Sequence, residues 1–205
     1  LLRRRHFFVR QRSGLITHSK LTFFQQGIYD MKASVYKNKE QRKNLSDKLE
    51  EVDLKLNVDT NIKVIGFLDE TIDYLEQTIK QRVQKVHIKL YALLQTIPGV
   101  GEMTALIIIY ETCDIKRFKT HQKYASYSRV VKPQRMSNGI FKKGNNAKMG
   151  NPYLKWAFGQ ILHNARMAEE EIDKYYLRLE RKYGKKKARA IMAHKFNTAV
   201  YFILK

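Results

Sequence analysis

The sequence is short of negative charge, of proline and of cysteine, and each shortage excludes something. A single cysteine, Cys113, in 205 residues rules out an intramolecular disulfide framework and any Cys-x-x-Cys metal site, and it suits a reducing cytoplasm. Three prolines, ten Phe and twelve Tyr among 43% apolar residues exclude a low-complexity linker and favour a helix-rich globular chain. Long apolar runs are missing as well. The longest, Ala105 to Tyr110, is far too short to span a bilayer, and no stretch has the order of a secretory signal peptide, so no membrane partner is expected. Acids are the scarcest class: 19 Asp and Glu face 40 Lys and Arg, a formal charge of +21. A domain with that excess repels itself unless a polyanion neutralises it, which makes nucleic acid the leading partner class. The chain opens on Leu1 rather than Met, and we expect a segment cut from a longer protein, with room for one or two domains.

What is present divides the chain near residue 92. Residues 1–26 combine Arg3, Arg4, Arg5, Arg10 and Arg12 with Phe7, Phe8, Val9, Leu15 and Ile16 and hold no acid, which reads as a basic helix with an apolar face, interrupted at Gly27. A second charged helix is predicted from about Ala33 to Glu51, then a connection through Asn57 to Asn61. From Ile62 the apolar positions Ile65, Leu68, Ile72, Leu75, Ile79, Val83, Val86 and Leu90 recur by threes and fours. That stripe predicts a coiled-coil or long-hairpin arm, with its seam turned either to the same chain or to a second copy. Beyond residue 92, the stretch from Ile115 to Ala168 carries twelve Lys and Arg and no Asp or Glu. A solvated face would mix signs, whereas an acid-free stretch interleaved with Phe118, Tyr124, Tyr127, Phe141 and Tyr153 suits a surface that follows phosphates.

Three motifs lie in this second part. In Ile97-Pro98-Gly99-Val100-Gly101-Glu102-Met103-Thr104-Ala105, helical sequence stops at Pro98 and resumes after Gly101. Gly99, Val100, Gly101 and Thr104 fit a helix-hairpin-helix that lets a nucleic-acid backbone approach a helix N-terminus, or equally a tight turn with Thr104 and Ala105 packed inside. No Gly-Lys-Ser or Gly-Lys-Thr follows, which excludes a P-loop. In the second motif Asn138-Gly139 is the strongest short signal for a β-hairpin turn, and it places Ser137 among Arg135, Lys142, Lys143 and Lys148. Those cations would bind a phosphodiester and stabilise charge developing on it, while nothing in the motif activates the hydroxyl. The third motif, Asn151-Pro152-Tyr153-Leu154, is a helix start with Asn151 as N-cap. His194, alone on a largely apolar helix, reads more readily as structural than as a proton shuttle. Glu111 and Asp114 are the only acids just beyond the Gly-Val-Gly turn, and two do not make a metal site, so no metal ligands are expected.

Taken in order, these motifs resemble the C-terminal half of the IS110/IS1111-type transposases, DNA recombinases guided by a structured RNA. The likeness runs through Ile97-Pro98-Gly99-Val100-Gly101, Arg117-Phe118-Lys119, Tyr124-Ala125-Ser126-Tyr127, Ser137-Asn138-Gly139, Gly150-Asn151-Pro152-Tyr153-Leu154-Lys155-Trp156 and Ala193-His194-Lys195. The resemblance implies a mainly α chain with a helical or coiled-coil linker arm over residues 1–92. A C-terminal transposase domain follows over 93–205, containing a helix-hairpin-helix and a short β-hairpin. It implies Ser137 as the nucleophile that joins DNA through a 5′-phosphoserine, with DNA and a guide RNA as partners. Gly99, Val100, Gly101, Thr104, Arg135, Lys142, Lys143 and Lys148 would bind nucleic acid. It also implies a dimer or tetramer formed through the arm, and a bacterial, nucleoid-associated location. In that family Mg²⁺ is held by the acids of an N-terminal RuvC-like domain. These 205 residues do not contain that domain, so the expectation is a fragment that binds nucleic acid and does not cut DNA alone. The different reading of the same residues is a non-catalytic nucleic-acid-binding protein.

Overall fold

The computed structural model describes residues 1–131, 134–137, 140–143 and 149–205, the two four-residue stretches by their backbone. The described chain is mainly helical, and it separates into two compact units, Leu1–Arg82 and Val83–Lys205.

In the first unit, helix α1 (Leu2–Gln25) lies antiparallel to α3 (Val52–Val86) along the stretch from Val58 to Glu76. Three side-chain pairs fix that direction. Arg5 Nε donates to Glu76 Oε1 at 2.7 Å, Arg12 Nη1 to Asp69 Oδ1 at 2.6 Å, and Asn61 Nδ2 meets His18 Nδ1 at 3.1 Å. The two ionic pairs step forward by two turns on α1 and back by two turns on α3. Between and beyond them apolar side chains close the seam: Phe23, Val58 and Ile65 are buried, with Ile16 and Ile62 packed against them. The same core takes Met31, Tyr36, Leu45 and Leu49 from the segment between the helices. Burial pushes the Tyr36 hydroxyl up to about 12.

Two expectations about this segment are corrected. The charged helix predicted from Ala33 to Glu51 is replaced by a 3-10 turn (Val35–Lys37), a short helix α2 (Lys39–Lys43) and a second 3-10 turn (Ser46–Lys48). Asn38 restarts the backbone, because its side-chain oxygen accepts the N–H groups of Glu40 and Gln41 at 2.9 and 3.2 Å. The broken path turns Tyr36, Leu45 and Leu49 inward, which one straight helix through these positions would not do. The connection expected at residues 57–61 is instead helical, inside α3. Val58 and Ile62 earn their burial there, while Thr60 Oγ1 donates to the Leu56 carbonyl at 2.8 Å and Asn61 Nδ2 to Asn57 Oδ1 at 3.3 Å. Packing overrides the weak helix propensity of the Asn-Val-Asp-Thr-Asn run. Of the two orientations open for the apolar stripe, the same-chain one holds. Ile65, Leu68, Ile72, Leu75 and Ile79 are all buried within this chain, whereas Val86 is exposed.

The second unit is built on α5 (Glu102–Thr112), in which Thr104 through Ile109, Glu111 and Thr112 are all buried. A helix apolar nearly all round belongs at the centre of a bundle. Around it stand α4 (Ile88–Gln95), α6 (His121–Tyr127), α7 (Pro152–Ala168), α8 (Glu170–Tyr183) and α9 (Lys185–Leu204). α7 packs on α5, α8 and α9, and α9 also packs on α4 and α6. Leu154, Phe158 and Ile161 of α7 are fully buried, as their helical spacing leads one to expect. Tyr124 is the aromatic hub, in ring contact with Phe118, Phe158 and Tyr201. Its hydroxyl lies 2.9 Å from Thr112 Oγ1, and burial pushes it up to about 12. No helix among the described residues is long and apolar enough to cross a membrane.

Candidate functional site

The strands β1 (Gln134–Ser137) and β2 (Ile140–Lys143) form an antiparallel pair whose register sets Ser137 opposite Ile140 and Arg135 opposite Lys142. Ser137 therefore occupies the last paired position of β1. Lys143 stands opposite Gln134. Lys148, and the Asn138-Gly139 dipeptide expected to make the turn, lie outside the described residues.

The two ends of the stretch that carries this pair are tied together by the helical body. At the return end, Asn151 N donates to the Tyr127 carbonyl at 2.6 Å. Gly150, at φ +76°, lies so close that a Cβ there would stand 2.5 Å from the Tyr127 oxygen and 3.2 Å from that of Ser126, so only glycine fits. Asn151 then does three things with one side chain. Its oxygen accepts the N–H groups of Tyr153 and Leu154 at 2.9 and 3.2 Å, capping α7. Its Nδ2 donates to Glu111 Oε2 on α5 at 2.6 Å and approaches the Tyr127 hydroxyl at 3.4 Å. Glu111 is itself buried. At the departing end Arg129 takes the left-handed conformation at φ +56°, which is costly for a residue with a Cβ and turns the chain out of α6.

Beside this clasp stands a cationic, aromatic patch. The Arg117 guanidinium lies 4.6 Å from the ring centroids of both Phe118 and Tyr127, and Lys116, Lys119 and Lys123 are exposed around it. On the other side of α6, His121 and His194 stand with ring centroids 6.3 Å apart, and His121 is in ring contact with Tyr201 and Phe202. Burial first, and then the neighbouring His121, hold the His194 imidazole below its usual value.

The Gly99-Val100-Gly101 turn joins α4 to α5, and its residues have different surroundings. Gly99, at φ +84°, is pressed on α7: a Cβ there would meet the Ile161 carbonyl, and would stand 2.5 Å from Ala165 N and 2.8 Å from Ala165 Cβ. Val100 is buried, and Thr104 Oγ1 donates to the Gly101 carbonyl at 2.8 Å, inside the helix start. Gly101 alone is open, with nothing within 4 Å of a would-be Cβ. Of the residues singled out in the sequence, the fold thus groups Gly99, Val100 and Thr104 in packed positions and Arg135, Ser137, Lys142 and Lys143 on the strand pair. Sequence reasoning set Glu111 aside as one acid too few for a metal site, and it did not link Asn151 to it; a bond across forty residues leaves no local signal.

A basic strand pair carrying a serine, its return end held to a helical body by Asn151, lies inside the stretch that the comparison with known families matches. Residues 91–177 match the model of the family described as Transposase IS116/IS110/IS902, and the match supports a role in transposition. No curated protein matches the chain.

Proposed function

We propose that the second unit acts on DNA in transposition, with Ser137 as the nucleophile. The observation that carries the reading is the family match, because its span encloses Ser137, Arg135 and Lys142 together with Glu111, Tyr127 and Asn151, which fix the base of the strand pair. In this reaction Ser137 Oγ attacks phosphorus and loses its proton, the bond from phosphorus to the 3′ oxygen breaks, and that oxygen leaves as a hydroxyl. The product is a 5′-phosphoserine. Arg135, Lys142 and Lys143 bind the phosphodiester and stabilise the charge that develops on it. Gly101 is the one turn residue open to backbone contact, and the Arg117 patch is a further cationic surface within the matched stretch. Lys148 joins this set by its place in the sequence, and a guide RNA is proposed as the second nucleic acid on the strength of the resemblance.

Among the described residues no three His, Cys, Asp or Glu side chains come together to hold a metal ion. Mg²⁺ and the acids that activate the serine are proposed to come from a RuvC-like domain. The test mixes the chain with duplex DNA labelled on its 5′ and 3′ sides, with and without such a domain and Mg²⁺, and looks for an adduct that survives denaturation. An adduct on the 5′ side that vanishes in Ser137→Ala is the expected result. Tight, salt-sensitive binding without an adduct under any of these conditions would sink the nucleophile and leave a binding protein.

A further inference from the structure

Beyond the stretch that matches the family, the α8–α9 turn concentrates charge in a way that helix stability does not explain. α8 follows the ordinary rule: Glu170, Glu171 and Asp173 lie in its first turn, and Arg181 and Lys182 in its last, where cations complement the partial negative charge of the carbonyl end. α9 breaks it. Lys185, Lys186 and Lys187 occupy its first turn, no acid is there, and no side chain caps it, so three cations sit where the helix dipole and free N–H groups are already positive. Arg189 follows one turn on.

The surroundings offer no compensation. Residues 181–187 and Arg189 are all exposed, and none of these six cations has a carboxylate within ion-pairing distance among the described residues; Lys182 only lies 5.2 Å from the Tyr183 ring. Gly184 makes the turn at φ +78°, with nothing within 4 Å of a would-be Cβ, so the tip is open to a large partner. Mutual repulsion among these cations and the dipole mismatch are both relieved by one kind of ligand, a row of anions.

We propose that the α8–α9 turn is a duplex-DNA contact that grips the phosphate backbone, separate from the serine-bearing strand pair. The occupant is a duplex rather than a single strand because stacking platforms are lacking: Tyr183 is the one aromatic between Arg181 and Arg189. The contact rests on the DNA-binding part of the proposed function and is independent of whether Ser137 reacts.

The test uses the whole chain and a random-sequence DNA duplex, with affinity measured over a range of salt concentrations. Replacing the three lysines together (Lys185→Gln, Lys186→Gln, Lys187→Gln) is expected to weaken binding and to lower the slope of log affinity against log salt by about 2 to 3. The thermal midpoint should hold or rise, because cations leave a helix N-terminus. The matching Lys→Arg variant should retain the affinity. Unchanged affinity and slope overturn the proposal, as does a loss confined to a hairpin RNA with duplex binding intact. A lowered thermal midpoint also overturns it, since the lysines would then be serving the fold. A parallel Arg135→Gln, Lys142→Gln variant separates the two sites: if it weakens binding while the α9 variant does not, only this proposal falls, and if the wild-type chain shows no salt-sensitive binding, both fall.

Discussion

Asn151 Nδ2 stands 2.6 Å from Glu111 Oε2, and the same asparagine's oxygen caps α7, so one side chain joins the central helix to the point where the serine-bearing stretch returns. Removing it does more than remove a cap. Asn151→Ala is expected to lose the usual ~0.5–2 kcal/mol of an N-cap and a charge-assisted hydrogen bond to a buried carboxylate worth about 1.5–3 kcal/mol. Asn151→Asp keeps the cap acceptor but sets a second carboxylate against Glu111. Adding Glu111→Gln to Asn151→Asp should recover part of that loss. Urea unfolding of the four proteins in this cycle checks it, and purely additive effects would show that the two residues do not interact.

Gly99 and Gly101 should respond in opposite ways. Gly99→Ala meets both the left-handed backbone and the wall of α7, so it should cost more than the ~1–2 kcal/mol of the backbone conformation alone. Gly101→Ala, at φ −87° with open space around it, should leave stability within about 0.5 kcal/mol. Its effect should appear instead in duplex affinity if the turn touches a phosphate backbone. Thermal melts and binding curves on the two variants separate packing from contact.

In the first unit, Asp69 takes Arg12 on one oxygen and Arg42 on the other, and Arg42 is buried with its guanidinium also on the Tyr36 carbonyl at 3.1 Å. Asp69→Asn leaves that buried cation without its counter-charge and is expected to cost about 3–5 kcal/mol. Arg12→Met, at the more exposed partner, should cost far less. Comparable losses for the two would contradict the burial asymmetry.

Mild acid should destabilise the chain through two histidines. His194 is held below the usual imidazole value of 6.5 by burial and His121, and His6 by burial and then Arg10 and Arg5. The folded state therefore favours the neutral rings, while the unfolded chain takes up protons first as pH falls below 6.5. Stability is fully present above that value and declines as pH drops towards the folded-state values. Denaturant midpoints taken between about pH 7.5 and pH 5.5 should fall, and should fall less in His194→Gln. A flat profile would remove the assigned cause.

How far the sequence discloses this molecule depends on the range of the interactions involved. Asn151-Pro152 marks the start of α7 and Gly184 the break before α9, because caps and left-handed turns are local chemistry. The apolar stripe from Ile65 to Ile79 discloses a helix and its buried face, since a period of three and four needs no knowledge of the partner. What it cannot disclose is that α1 is antiparallel to it, which depends on Arg5 finding Glu76 and Arg12 finding Asp69. The Asn57–Asn61 run reads as a connection for the same reason: its local preference is weak, and the core that holds Val58 is assembled from distant residues. At the site, Ser137 and its cations are legible as a motif. The Glu111–Asn151 bond, the Arg117 position between two rings and the neighbouring of His121 and His194 arise only from how α5, α6, α7 and α9 pack.

The hydrogen bond from Asn151 N to the Tyr127 carbonyl makes the intervening stretch a cassette. Its ends are fixed by the helical frame, so the frame's stability depends only weakly on what lies between them: each doubling of a closed loop's length costs about 0.6 kcal/mol. The anchors matter more than the length of chain between them: the melting temperature of the second unit should follow Tyr127, Gly150 and Asn151 and respond little to an insertion placed between residues 131 and 149.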